Sequence, residues 1–97
     1  MTDAAAGSFD DFYRAELDGQ VRRAFLLTGS AEAANDIVHD AMIGVYRRWG
    51  ELDVPSAYLN RSVLNGCRDA GRRVTRQRRL VARLSERPAE EIGRAHV

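Results

Sequence analysis

Between Ser30 and Gly50 the apolar residues Ala34, Ile37, Val38, Ala41, Met42, Val45, Tyr46 and Trp49 recur at intervals of mostly three and four. Only a backbone with 3.6 residues per turn gathers that pattern on one face, so an amphipathic helix is predicted over roughly 31–48. Such a helix must bury its apolar side, and the rest of the chain offers only more helices to bury it against. No window alternates with period two, so the expected fold class is all-α, a compact bundle of three or four helices.

The flanking segments repeat the logic. Phe9, Phe12, Tyr13, Leu17, Val21, Ala24 and Phe25 form an apolar stripe for a first helix that starts near Ser8, with Ser8 or Asp10 as its cap. "TGS" at 28–30 ends it, Gly29 serving as the stop and Ser30 as the cap of the next helix. "GELDVPS" at 50–56 reads as a loop, with Pro55 suited to the first turn of a third helix. That helix runs into the seventies and is expected to bury Tyr58, Leu59, Val63, Cys67, Ala70 and Val74. It is able to extend as far as Pro88, which is expected to stop it. Gly66 and Gly71 weaken it by about 1 kcal/mol each relative to alanine.

Charge is distributed unevenly. Residues 1–60 carry five arginines and ten acids, whereas residues 61–87 carry nine arginines and two acids, in a chain whose net charge is only +1. Two faces with different partners are implied, one of them polyanionic. Ninety-seven residues allow one domain. No apolar run is long enough to span a membrane, the N-terminus has no secretion-signal pattern, and the lone Cys67 fits a reducing compartment, so a cytoplasmic location is expected.

On the third helix Arg61, Asn65, Arg68, Arg72, Arg76 and Arg79 follow one another at +4, +3, +4, +4 and +3, one stripe opposite the apolar one. Like charges spaced in this way repel by a few tenths of a kcal/mol per pair, and a polyanion removes the penalty. Asn65 is uncharged and has the donor and acceptor needed to read a base edge. A solvated basic face is the plainer alternative.

Four stretches in order, "FDDFYRAELDGQVRRAFLLTGS", "AANDIVHDAMIGVYRRW", "PSAYLNRSVLN" and "RDAGRRVTRQRR", resemble region 2 of the extracytoplasmic-function sigma factors, the small sigma-70-type (group IV) initiation factors of bacteria. The resemblance covers about residues 9–79. It implies a non-enzymatic transcription-initiation domain, without cofactor or metal, that binds core RNA polymerase and recognises and melts the promoter −10 element.

By that resemblance Asn35, Asp36, His39 and Asp40 dock on the clamp coiled coil of the polymerase β′ subunit. Asn35, His39 and Asp40 stand where the family usually has glutamate, glutamine and glutamate. The loop Gly50, Glu51, Leu52, Asp53 and Val54 forms a pocket for a base flipped from the non-template strand. Arg61, Asn65, Arg68, Arg72, Arg73, Arg76 and Arg79 contact promoter bases and backbone. An anti-sigma factor is a further partner that the family allows.

The implied layout is a disordered N-terminus at 1–8, the helical domain at 9–79 and the start of an interdomain linker at 80–91. The closing "EIGRAHV" has no place in the family pattern and resembles a translated sequencing adapter, so 92–97 are expected to be a non-native tail. On that reading the chain is truncated before the domain that reads the −35 element.

The same residues admit other readings. His39 with Asp36 and Asp40 lacks the second cluster that a metal or acid–base site needs. Tyr46 and Trp49 are expected in the core, Tyr58 either in the core or against unpaired bases, and Cys67 as a small buried apolar residue. The rival function is a helical module that binds nucleic acid through its arginines without sequence choice.

Overall fold

In the computed structural model the chain forms three α-helices, α1 (Thr2–Thr28), α2 (Ala31–Arg47) and α3 (Pro55–His96), with a short 3-10 turn at Trp49–Glu51. The structure describes residues 9–85; the expectations for residues 1–8 and 92–97, and for a stop at Pro88, fall outside them. The described residues are all-α and hold no strand.

Each helix end follows from local chemistry. Gly29 adopts φ 72°, the left-handed geometry that L side chains resist, and its N–H donates to the Phe25 carbonyl at 2.7 Å. Ser30 is extended and its Oγ accepts the Ala33 N–H at 3.1 Å, which satisfies one of the free donors at the start of α2. Pro55 opens α3, where a missing N–H costs nothing. Asp10 is not a cap: Phe9 before it is already helical, so α1 runs through it.

α2 is the centre of the bundle. Among the described residues, six of the ten buried apolar ones lie on it: Ala34, Ile37, Val38, Ala41, Met42 and Val45; Ala24 comes from α1, and Leu59, Val63 and Cys67 from α3. Full burial of Leu59, Val38, Val45 and Val63 contributes about 1.5–3 kcal/mol each. Residues 37 and 44 on α2 lie against residues 66 and 58 on α3, so these helices run antiparallel. At the opposite end from Gly29, Phe9 sets its ring edge-on to Trp49 and Tyr46 at centroid distances of 5.3 and 5.0 Å, and Phe12 meets Trp49 at 5.3 Å. Such pairs add about 0.5–1.5 kcal/mol beyond their burial.

Three residues expected in the core lie at the surface. Phe25 is 45% exposed because Ala24, about 100° round the axis, takes the inward position. Tyr46 is 65% exposed: Met42 and Val45 fill the core there, and Tyr46 reaches it only by its contact with Phe9. Val74 is 45% exposed because α3 has by then outrun its neighbours, and Ala70 is already only partly covered. Beyond Ala70 every described residue of α3 is exposed, and residues 80–85 remain helical.

Candidate nucleic-acid and polymerase interfaces

The core places the arginine stripe. Because Leu59, Val63 and Cys67 turn inward, Arg61, Asn65, Arg68, Arg72, Arg76 and Arg79 point to the opposite side, and all six are exposed. Arg68, Arg72, Arg76 and Arg79 rise around a shallow groove floored by Gly71 and Thr75. Arg72 donates to Asp69 Oδ1 at 2.6 Å, a solvent-facing pair worth under about 1 kcal/mol. A phosphate competes with it easily. Arg83 continues the stripe one turn further and is also exposed; its +4 spacing from Arg79 makes it legible in the sequence, and the expected stripe stopped short of it.

Arg73 stands apart. It lies about 100° round the axis from Arg72 and lines the grooves between α3 and α2, together with Asp36, His39 and Asp40 in one and Asp40 and Asp69 in the other. Its charge therefore faces the acidic helix, to one side of the arginine stripe.

On α2, Asn35, Asp36, His39 and Asp40 are all exposed, because Ala34, Ile37, Val38 and Ala41 take the inward positions. Asn35 turns its amide back to donate to the Ala31 carbonyl at 2.9 Å, which leaves Asp36, His39 and Asp40 as the outward-facing set. None of these three forms an ion pair among the described residues. Among the described residues no group of three or more His, Cys, Asp and Glu is placed to hold a metal, and no helix is long and apolar enough to cross a membrane.

The loop Gly50–Val54 does not present its five residues alike. Gly50, Glu51, Asp53 and Val54 are exposed, while Leu52 packs against the core and pins the loop to the bundle. The Arg48 carbonyl accepts the Glu51 and Leu52 N–H groups at 2.8 and 3.2 Å, and the Val54 carbonyl accepts those of Ala57 and Tyr58 at 3.1 and 3.3 Å. The loop thus has a set shape. Tyr58 packs against the core beside Gly44, and its ring face carries the Arg48 guanidinium 5.6 Å from the centroid. That face is occupied by a cation–π contact rather than offered to a base.

One polar cluster lies outside every sequence expectation. Gln20 is buried on α1, and its Nε2 donates to Asn60 Oδ1 on α3, which also accepts from Arg23 Nη1 at 3.3 Å. Gln20 Oε1 is buried without a partner. The signal for it in the sequence is a polar residue inside the Leu17, Val21, Ala24 stripe. Nearby, burial pushes the Cys67 thiol pKa up, against the opposing pull of the Arg23 guanidinium.

The Sigma-70 region 2 family profile matches residues 12–83 of the chain. No curated protein and no solved structure gives a significant match.

Proposed function

The chain belongs to the Sigma-70 region 2 family, and on that premise we propose that it docks on the β′ clamp coiled coil of core RNA polymerase through α2 and melts the promoter −10 element with α3 and the loop before it. The family acts in transcription initiation and promoter recognition, with RNA polymerase core and promoter DNA as its associates. The finer assignment rests on one observation: two oppositely charged exposed surfaces lie on different helices of one core, and the ion pair that forms between described residues, Arg72 with Asp69, faces solvent and leaves the rest of each surface open. The outward carboxylates Asp36 and Asp40 suit a basic coiled coil, and the α3 stripe suits a phosphate backbone.

In this mechanism no covalent bond changes. Arg68, Arg72, Arg76 and Arg79 anchor phosphates, Arg61 and Asn65 meet bases and the distorted backbone, and Gly50, Glu51, Asp53 and Val54 line the mouth that receives a flipped base. Extruding that base costs a few kcal/mol, which contacts to the separated strand offset. Arg73 belongs with the α2 surface in this reading, as the cation bordering its acidic groove. The four-stretch resemblance supports the extracytoplasmic-function class, with a cytoplasmic location and an anti-sigma factor as regulator.

The test is co-purification of core polymerase with the chain and with Asp36→Arg. The variant is expected to lose polymerase while keeping its helical circular dichroism, because Asp36 is exposed and holds nothing inside the bundle. Full retention of polymerase by Asp36→Arg removes the docking assignment.

A further inference from the structure

Cys67, Ala70, Val74, Gln77, Val81 and Leu84 follow one another along α3 at +3, +4, +3, +4 and +3. This alternation of three and four, seven residues for every two steps, gives the seam that a helix presents to a coiled-coil partner. The bundle uses only the first part of it. Cys67 is buried and Ala70 partly so, but Val74, Val81 and Leu84 are 45%, 53% and 57% exposed. Val74, Gln77, Arg78, Val81 and Ala82 line a shallow groove there, and the exposed Leu80 borders the seam. Water-facing valine and leucine thus stand in heptad register on the part of α3 that extends past the bundle.

We propose that this seam docks an acidic amphipathic helix of a partner protein as a short two-stranded coiled coil. Charge selects the occupant. Arg78 flanks the exposed seam at a position that faces the flanking residues of the opposite strand, and Arg73, on the other side where the seam leaves the bundle, borders it as well as the acidic groove of α2. In a parallel pair of two copies, Arg73 of one strand meets Arg78 of the other, and each α3 already carries the excess of arginine in residues 61–87. A second copy is repelled in that orientation and meets the like charge of α3 in any other; a strand with glutamate at its flanks is attracted. Gln77 is the polar residue of the exposed seam, and a polar partner opposite it fixes the register. Arg72, Arg76 and Arg79 point away from the seam, so DNA and the partner helix are able to occupy α3 together. The inference stands on the helix itself and holds whether or not α2 docks on polymerase.

The experiment uses the full chain and two labelled designed peptides, each with leucine at its seam positions and asparagine opposite Gln77. One carries glutamate and the other lysine at the flanking positions. Fluorescence anisotropy is expected to show saturable binding of the acidic peptide and binding at least about tenfold weaker for its lysine twin. The neutral double variant Val81→Gln/Leu84→Gln is expected to weaken the acidic peptide by more than about tenfold, since it removes two of the apolar side chains that the partner would bury. Arg76→Gln, on the far side, is expected to leave it within about twofold. Equal losses for the seam variant and Arg76→Gln overturn the proposal, since the peptide is then merely a polyanion on arginines. Self-association of the parent chain abolished by Val81→Gln/Leu84→Gln, or seam-dependent binding to phosphatidylserine vesicles in place of the peptide, overturns it equally.

Discussion

At Gly66 the identity of one residue decides how closely two helices approach. A Cβ added there would lie 2.7 Å from Ile37 Cγ2, whereas one added at Gly71 meets nothing within 4 Å. Ile37 is buried and β-branched, so its methyl has no cheap rotamer into which to retreat. Both glycines carry the same propensity penalty in the sequence, and only the packing separates them. Gly66→Ala is therefore expected to destabilise the domain by about 1–3 kcal/mol despite its better helix propensity. Gly71→Ala is expected to stabilise it by about 0.4–1 kcal/mol. Urea unfolding of the two variants checks both signs; a stabilised Gly66→Ala contradicts the close approach.

As an element, α3 does two jobs along its length and two round its circumference. Its first turns complete the core, and its later turns stand clear of it with the arginine stripe on one side. Within the stripe Asn65 differs in kind from its neighbours, because an amide discriminates between bases and a guanidinium on a phosphate does not. Asn65→Ala is expected to weaken binding to −10 single strands by about 1–3 kcal/mol and to scrambled strands by much less. Arg76→Ala is expected to weaken both alike and to reduce the steepness of the salt dependence by nearly one unit. Equal losses for Asn65→Ala on both strands favour the module that binds without sequence choice. The stripe is legible in the sequence, because a helical spacing alone aligns residues at +3 and +4. The displacement of Arg73 is not: being next in sequence to Arg72 puts it a quarter-turn and more away, and which neighbour waits there depends on where α2 packs.

At the scale of the whole molecule, the site is held by a small core and one polar cluster. Cys67 lies in that core, and burial raises its thiol pKa more than the Arg23 guanidinium lowers it. The folded state therefore disfavours the thiolate, while the unfolded chain ionises at the ordinary value. The stability this contributes is fully present below the ordinary cysteine range and is lost as pH rises through the folded value. Between about pH 7 and pH 9.5 the urea midpoint of the parent chain is expected to fall more steeply than that of Cys67→Ala. Parallel slopes for the two proteins contradict the burial argument. The Gln20, Asn60 and Arg23 cluster ties α1 to α3 across the same region. Gln20 Oε1 is buried without a partner, and leaving a buried acceptor unsatisfied costs about 1–3 kcal/mol.

The order of the helices, their ends at Gly29, Ser30 and Pro55, the apolar stripe of α2 and the arginine stripe of α3 follow from the amino-acid sequence by itself. Each depends on neighbours within a turn or two, where 3.6-residue geometry leaves little choice. What required the tertiary structure depends on where one helix stops relative to another. Phe25, Tyr46 and Val74 carry apolar side chains on helical stripes, yet whether they are covered is decided by the reach of the facing helix. Gln20 is buried where α3 brings Asn60 Oδ1 close enough to accept from its Nε2. Arg73 faces the acids of α2 because the core rotates α3 to bury Leu59, Val63 and Cys67. Local periodicity sets which residues share a face; only the packing of whole helices sets what that face meets.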